Sequence, residues 1–474
     1  MILKKRYFKI KDKGESAKIH SLDSRKRFVM HIHILGVCGT FMGGVAQLAR
    51  AAGHRVTGCD ANVYPPMSDQ LKNAGIELIE GYDESQLSLH PDIFVIGNAI
   101  SRGNPLLEAI LDAGLPYTSG PQWLGEYILH DQHVLAVAGT HGKTTTSSLL
   151  TWILEYAGLD PSFLIGGVPT NFLCSARLTD SKYFVIEADE YDTCFFDKRS
   201  KFIHYRPKTA ILNNLEYDHA DIFPNLEAIE TQFHHLVRTM ARNARVVVND
   251  DCEALHRVLG RGLYSEVVYF NAQKGWHLEN DQVYFAQTCY GSLDLALPGH
   301  HNQLNALAAI AAAQHIGVEP KLALEALREF QGVKRRMEVR GKERGVTVID
   351  DFAHHPTAIA ETIAALRAKI GSNHRVIAVL EPRSNTMKMG TMKGRLADSL
   401  SGADEIVCFA APSLGWNVEE ALSSLGQKAH VFHNLDEVVN NTVSLVHEGD
   451  YILVMSNGGF GGIHGKLLTS LKEM

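Results

Sequence analysis

Residues 133–156 read His-Val-Leu-Ala-Val-Ala-Gly-Thr-His-Gly-Lys-Thr-Thr-Thr-Ser-Ser-Leu-Leu-Thr-Trp-Ile-Leu-Glu-Tyr. An apolar run over His133–Ala138 predicts a buried strand, and Ser147–Tyr156 predicts a helix. Between them lies Gly139-Thr140-His141-Gly142-Lys143-Thr144-Thr145-Thr146. Glycines there let the backbone turn tightly and point N–H groups inward, and the following helix presents its positive end to the same spot. This is a shortened P-loop, a cradle for the phosphates of ATP. Lys143 supplies a point charge for the β- and γ-phosphates, and the Thr144 hydroxyl can ligate Mg²⁺. Strand, phosphate loop and helix in that order predict an α/β fold.

Outward from this unit the same alternation continues. Strands are expected at His31–Leu35, Arg55–Cys59 and Asp92–Ile96, with a helix over Phe41–Ala52. Beyond the phosphate loop, strands are expected at Tyr183–Ile186, Thr209–Leu212 and Arg245–Val248, and a helix over Gly299–Ile316. A last group has strands at Val346–Asp350, Arg375–Leu380, Glu405–Phe409 and Tyr451–Met455. At about 100–200 residues per domain, 474 residues make roughly three domains. We expect them at 30–130, 131–331 and 332–474, behind a basic extension over 1–29.

A phosphate loop needs a metal partner, and Mg²⁺ takes hard oxygen ligands. The strand Tyr183–Ile186 runs into Glu187-Ala-Asp189-Glu190-Tyr-Asp192. The next strand ends in Asn213-Asn214-Leu-Glu216-Tyr-Asp218-His219. Strand ends of a parallel sheet face its ligand crevice, so Thr144, Glu187 and His219 are expected to converge on metal. In the first unit a strand leads into Ile34-Leu-Gly36-Val-Cys38-Gly39-Thr40-Phe-Met42-Gly43-Gly44, and Asp60 ends the second strand. The spacing departs from the dinucleotide pattern G-x-G-x-x-G, because Cys38 stands where the second glycine belongs. A nucleotide diphosphate over the Gly39 turn remains consistent with it, with Asp60 as an acceptor for ribose or base.

Composition narrows the class. No stretch of 18 apolar residues occurs, so no membrane span is expected. Seven scattered cysteines without a C-x-x-C argue against a disulfide framework and a zinc ribbon, and for a reducing, cytoplasmic location. The first 30 residues carry ten Lys/Arg against three Asp/Glu, and the remainder 36 against 50. The basic start lacks the apolar core of a secretory signal. Nothing further along supports a nucleic-acid partner, so a solvated extension is expected.

The assembled residues resemble the Mur ligase superfamily from about Met30 onward. The motifs that carry the resemblance are Gly139–Thr145, Glu187-Ala-Asp-Glu190, Asn214…Asp218-His219, Gly299-His-His301-Asn302…Asn305, Arg335-Arg336 and Asp350-Asp351…His354-His355-Pro356. Four longer strings point within it to the branch that accepts a murein tripeptide: Cys38–Gly44, Asp60–Pro66, Glu381–Lys388 and Ser456–His464. The nearest alternative is the branch that accepts L-alanine.

The resemblance implies a Rossmann-like N-terminal domain, a central P-loop ATPase-like domain with a mainly parallel sheet, and a Rossmann-like C-terminal domain. It further implies an ATP- and Mg²⁺-dependent ligase of peptidoglycan recycling. Its substrates would be UDP-N-acetylmuramate and L-alanyl-γ-D-glutamyl-meso-diaminopimelate, joined through an acyl phosphate by a monomer or weak homodimer. Gly36, Gly39, Thr40, Met42, Gly43 and Asp60 would bind the UDP-sugar. Gly139 through Thr145, His301, Asn302, Asn305, Arg336 and Asp351 would hold ATP. His355 and Arg383 would join Lys143 in catalysis, His355 as general base with His354 equally placed, and Arg383 as a clamp for a peptide carboxylate. One departure concerns the metal. Some members carry a carbamylated lysine about fifteen residues after the motif histidine, where this chain reads Gln232-Phe-His-His-Leu-Val237. A P-loop ATPase or kinase and an NAD-dependent dehydrogenase are the readings from other classes.

Overall fold

The near-continuous Val, Ile, Leu and Ala runs become parallel strands covered on both faces, the environment such runs require. The computed structural model describes residues 29–64 and 67–474. The basic extension, apart from Val29, lies outside the described residues, as do Pro65 and Pro66 of the Asp60–Pro66 string.

Among the described residues three large sheets follow one another. The first has five parallel strands in the order Glu77–Glu80, Arg55–Asp60, His31–Leu35, Ile93–Ile96, Tyr117–Ser119. Its chain-order arrangement, 3-2-1-4-5, is doubly wound, and the order reverses beside His31–Leu35. The second sheet has ten strands. At its centre Arg245–Asn249, Thr209–Leu212, His133–Ala138 and Tyr183–Glu187 run parallel. Beyond Glu266–Phe270 it continues through Trp276–Glu279 into two antiparallel strands, Gln282–Phe285 and Thr288–Ser292. The third sheet is parallel over Val346–Asp351, Tyr451–Met455, Val376–Leu380, Glu405–Phe409 and Ala429–Phe432, with Glu338–Glu343 antiparallel at one edge. The fold class expected from the sequence is the one observed.

The units pack through small residues. The helix Thr40–Ala51 of the first unit lies against the strands Ser162–Leu164 and Ala176–Arg177 of the central one. A side chain at Gly44 would put its Cβ 2.2 Å from Leu164 Cδ1, so the close approach requires glycine. One apolar cluster accordingly runs from Ile32 and Val45 through Leu164 to Phe233. The third unit meets the phosphate side of the central sheet, where Thr386 Oγ1 donates to Asp218 at 2.6 Å and Thr357 Oγ1 to Glu216 at 2.8 Å. No helix among the described residues is long and apolar enough to cross a membrane.

Candidate active site

The strand His133–Ala138 ends at Gly139, and the helix Lys143–Tyr156 starts from Gly142 without a side-chain cap. Gly142 has φ +79°, and a Cβ there would fall 2.5 Å from Asn305 Oδ1. Glycine is therefore demanded twice, by the left-handed backbone and by the asparagine beside it. Asn305 also accepts from Thr146 Oγ1 at 3.0 Å and from Asn213 Nδ2 at 3.1 Å. The helix His300–His315 is thereby tied to the phosphate loop.

The lysine of the loop does not point into empty space. Lys143 Nζ donates to Gly139 O at 2.7 Å and to Glu190 Oε2 at 2.8 Å, with Asp189 Oδ1 at 3.7 Å. Burial opposes its charge, but Glu190 and Asp189 outweigh burial and hold Lys143 above the usual lysine range. His219 Nε2 lies 3.1 Å from the other Glu190 oxygen. There too burial opposes the charge, and Glu190, Asp218 and Asp189 together raise the imidazole to about 9. Glu190 is thus a buried hub between two cations. His219 itself has φ +52°, a conformation non-glycine residues rarely adopt, with its N–H on Asp218 Oδ1 at 2.7 Å.

Thr144 and Glu187 form the other half. Thr144 Oγ1 donates to Glu187 Oε1 at 3.1 Å, and Gly166 N to Glu187 Oε2 at 2.7 Å. Burial raises the Glu187 carboxyl, only partly offset by Lys143, Gly166 and Arg336. A hydroxyl beside a carboxylate held at such a cost is the hard oxygen pair that Mg²⁺ takes, so the residues fit the ion. Arg336 reaches Thr144 Oγ1 at 3.3 Å from the third unit. Its neighbours Arg335 and Met337 have φ +61° and +52°, so a strained backbone presents it.

The cleft beside Gly142 and Thr145 is lined by His301, Asn302, Asn305, Arg336 and Asp351. His301 is lowered to about 4 by burial, helped by His300 and Arg336, and is neutral. Asp351 accepts from the N–H groups of Met337 and Ala353, each at 2.8 Å, and so orders the segment carrying Arg336. Glu361 lines the same cleft, raised to about 7 by burial and then by Glu216. An acid raised on folding binds its proton more tightly in the folded state. It therefore costs stability as pH rises from about 4.5 through 7. Glu361→Gln is expected to raise Tm at pH 8 and to change it little at pH 4.5. Melting curves at the two pH values check this, and equal shifts would contradict it.

His355 is buried, and its ring lies 4.6 Å from that of His141. It caps the helix Pro356–Ile370, with Nδ1 accepting from Thr357 N at 3.3 Å. Burial keeps the ring neutral, and a neutral ring accepting at Nδ1 carries its proton on Nε2. His355 would therefore have to give up its cap bond at Nδ1 to accept a proton as the base expected there. His354 is the reverse case. Its Nδ1 lies 3.0 Å from Phe352 O and must be the protonated nitrogen, leaving the Nε2 lone pair available. Pro356 in the first helical turn was the sequence signal that His355 is a cap.

Other expected residues lie apart from this cluster. Arg383 is half-exposed, 3.9 Å from Glu381 and packed over Gly458. In the first unit Gly36 turns with φ +77°, and Gly39 opens the helix Thr40–Ala51 uncapped. Asp60 accepts from Cys38 N at 2.9 Å and Asn62 N at 3.2 Å, so it braces the glycine loop. Met42 is buried with its sulfur against Gly120, and Gly43 faces Met67 and Val37. The sequence did not distinguish the roles of Asp189, Glu190 and Glu216, nor single out Lys201. Within the stretch Gln232–Val237, which has no lysine, the Gln232 side chain accepts from Ser200 N at 3.2 Å.

Three family models match in sequence: the Mur ligase family catalytic domain over residues 31–132, the Mur ligase middle domain over 137–313, and the Mur ligase glutamate ligase domain over 335–458. The chain belongs to the Mur ligase family. It is 55% identical over 451 residues to the UDP-N-acetylmuramate–L-alanyl-γ-D-glutamyl-meso-2,6-diaminoheptandioate ligase of Escherichia coli K12, covering 94% of this chain and 99% of that one. A crystal structure of a murein peptide ligase from Psychrobacter arcticus matches with TM-score 0.72 and 45% identity, over 94% of this chain and 99% of that one. The UDP-N-acetylmuramate–L-alanine ligase of Syntrophomonas wolfei is 31% identical over 470 residues, covering 93% and 97%.

Proposed function

We propose that this ligase uses ATP to activate the carboxylate of UDP-N-acetylmuramate and joins it to L-alanyl-γ-D-glutamyl-meso-diaminopimelate, releasing ADP and phosphate. The observation that carries the reading is the cradle of Lys143, Thr144 and Glu187, which the third unit reaches through Arg336. Such a cradle sets the γ-phosphoryl group against a carboxylate, and the acyl carbon of the resulting acyl phosphate is then open to an amine. The preference for a tripeptide over L-alanine rests on the 55% identity to the Escherichia coli enzyme against 31% and 37% to the L-alanine ligases of Syntrophomonas wolfei and Arthrobacter. The seven free thiols fit a cytoplasmic setting.

A carboxylate is a poor acyl donor until its oxygen becomes a good leaving group. Transfer of the γ-phosphoryl group requires positioning and charge neutralisation rather than a protein nucleophile. Lys143 and the N–H groups at the start of its helix stabilise the transferring phosphoryl group. Arg336 adds charge from the third unit. Thr144 and Glu187 would hold Mg²⁺, which would neutralise phosphate charge. His354 then accepts the proton of the attacking amine at Nε2, and phosphate leaves with the C–O bond electrons.

His354→Gln is expected to lower kcat about a hundredfold, the scale of general-base loss, with the KM for ATP unchanged. His355→Asn keeps a cap acceptor and is expected to stay within about fivefold of the parent, as a cap-preserving change would. Steady-state kinetics of the two variants checks this, and the reverse order would return the base to His355. The activation step is tested without any amine. UDP-N-acetylmuramate, ATP, Mg²⁺ and hydroxylamine should give a sugar hydroxamate. ADP formed equally well without the sugar would instead favour an ATPase.

A further inference from the structure

Among the cations of the site, the reaction above uses Lys143 and Arg336 and gives no role to Lys201, which is buried. It begins the short turn Lys201–His204, just beyond the strand Asp197–Ser200. That turn is stitched to the acidic loop. Lys201 N donates to Tyr191 O at 3.0 Å, Ser200 Oγ donates to Glu190 O, and Gln232 holds Ser200 N. The Lys201 side chain is only 8% exposed, and its Nζ lies 3.1 Å from Asp189 Oδ2. It also stands 5.5 Å from the ring of Phe41 and 5.6 Å from that of Tyr191.

Phe41 is the second residue of the helix that opens at Gly39, so Lys201 spans the first unit and the phosphate site. Asp189 carries Lys201 on one oxygen and faces Lys143 at 3.7 Å with the other. Among the described residues only Asp189 accepts from this ammonium, leaving two of its three N–H donors for a ligand. For stability alone, an ammonium buried behind one carboxylate that is itself 33% exposed is a poor choice, and an apolar side chain would pack there better. Lys201 therefore stands between Phe41 of the sugar unit and the carboxylate that faces Lys143.

We propose that Lys201 is a fixed cation that receives the lactyl carboxylate of the UDP-sugar and steadies the acyl phosphate made from it. Lys143 does this work on the nucleotide side of the centre, and Lys201 does it on the sugar side. The assignment rests on the sugar-activating function proposed above. It makes Lys201 a determinant of substrate choice, separating UDP-N-acetylmuramate from UDP-N-acetylglucosamine, which has the same nucleotide and ring but no carboxylate.

The test compares calorimetric affinities for these two sugars in the parent protein, Lys201→Met and Lys201→Arg, together with kcat. The parent should prefer the carboxylate sugar. Lys201→Met should lose about tenfold of that preference, as expected for one charge-assisted contact, while binding UDP-N-acetylglucosamine as before. Its kcat should fall, and Lys201→Arg should restore part of both. An unchanged preference in Lys201→Met would overturn the proposal, and so would equal weakening toward both sugars, the mark of a structural lysine. If Lys201→Met does not fold, Lys201→Gln decides, since loss of the charge should reduce the preference and an unaltered preference refutes the contact. A parent with no preference would instead refute the sugar-activating function, and this proposal with it.

Discussion

Lys143→Ala is expected to slow ligation about a thousandfold, the scale of losing a preorganised donor from a transferring phosphoryl group. The structure adds a second consequence. Lys143 is the nearer of two cations on buried Glu190, and the other is His219. Removing the lysine leaves the carboxylate with one partner. The stability loss should therefore fall short of the roughly 3–5 kcal/mol of an uncompensated buried charge. Rate and Tm measured on the same preparation separate the two effects. A near-parental rate would remove Lys143 from the chemistry, whatever happened to stability.

Glu187→Gln is expected to lower kcat/KM by several hundredfold, the scale of losing a group that neutralises developing phosphate charge, and excess Mg²⁺ should not restore it. Its effect on stability has the opposite sign. Burial raises the Glu187 carboxyl, so its ionisation opposes folding above the ordinary carboxylate range. Glutamine removes that cost and keeps an oxygen for Thr144 or Gly166, so without ligand the variant should melt no lower than the parent at pH 8. With Mg²⁺ and nucleotide the order should reverse, because only the parent gains stability from the bound metal. Melting with and without Mg-nucleotide checks the crossover. A variant that melts lower under both conditions would make Glu187 a structural residue.

Much of this architecture was legible because parallel strands buried on both faces advertise themselves. His133–Ala138, Tyr183–Glu187 and Thr209–Leu212 are apolar runs ending in glycine, acid or asparagine. Less visible were strands that pack on one side or at an edge. Glu77–Glu80 is charged at both ends, Ser162–Leu164 has three residues, and Gln282–Phe285 pairs antiparallel where βα alternation has stopped. The candidate site divides in the same way. Gly142, Lys143 and Thr144 act through local backbone geometry, which a motif encodes. Glu190, Asp189 and Lys201 act through a turn that folds a distant stretch of chain onto the acidic loop, and no local pattern records that closure. His354 and His355 are adjacent in sequence yet hold their protons on different nitrogens, a distinction set by Phe352 O and Thr357 N.

The most direct test of the whole account is a choice of acceptor. The protein would be supplied with UDP-N-acetylmuramate, ATP and Mg²⁺, and either the tripeptide L-alanyl-γ-D-glutamyl-meso-diaminopimelate or L-alanine, with products followed by mass and by phosphate release. The account predicts stoichiometric UDP-N-acetylmuramyl tripeptide and no comparable product with L-alanine. Product with L-alanine alone would contradict it and make the protein a ligase of the first amino acid instead.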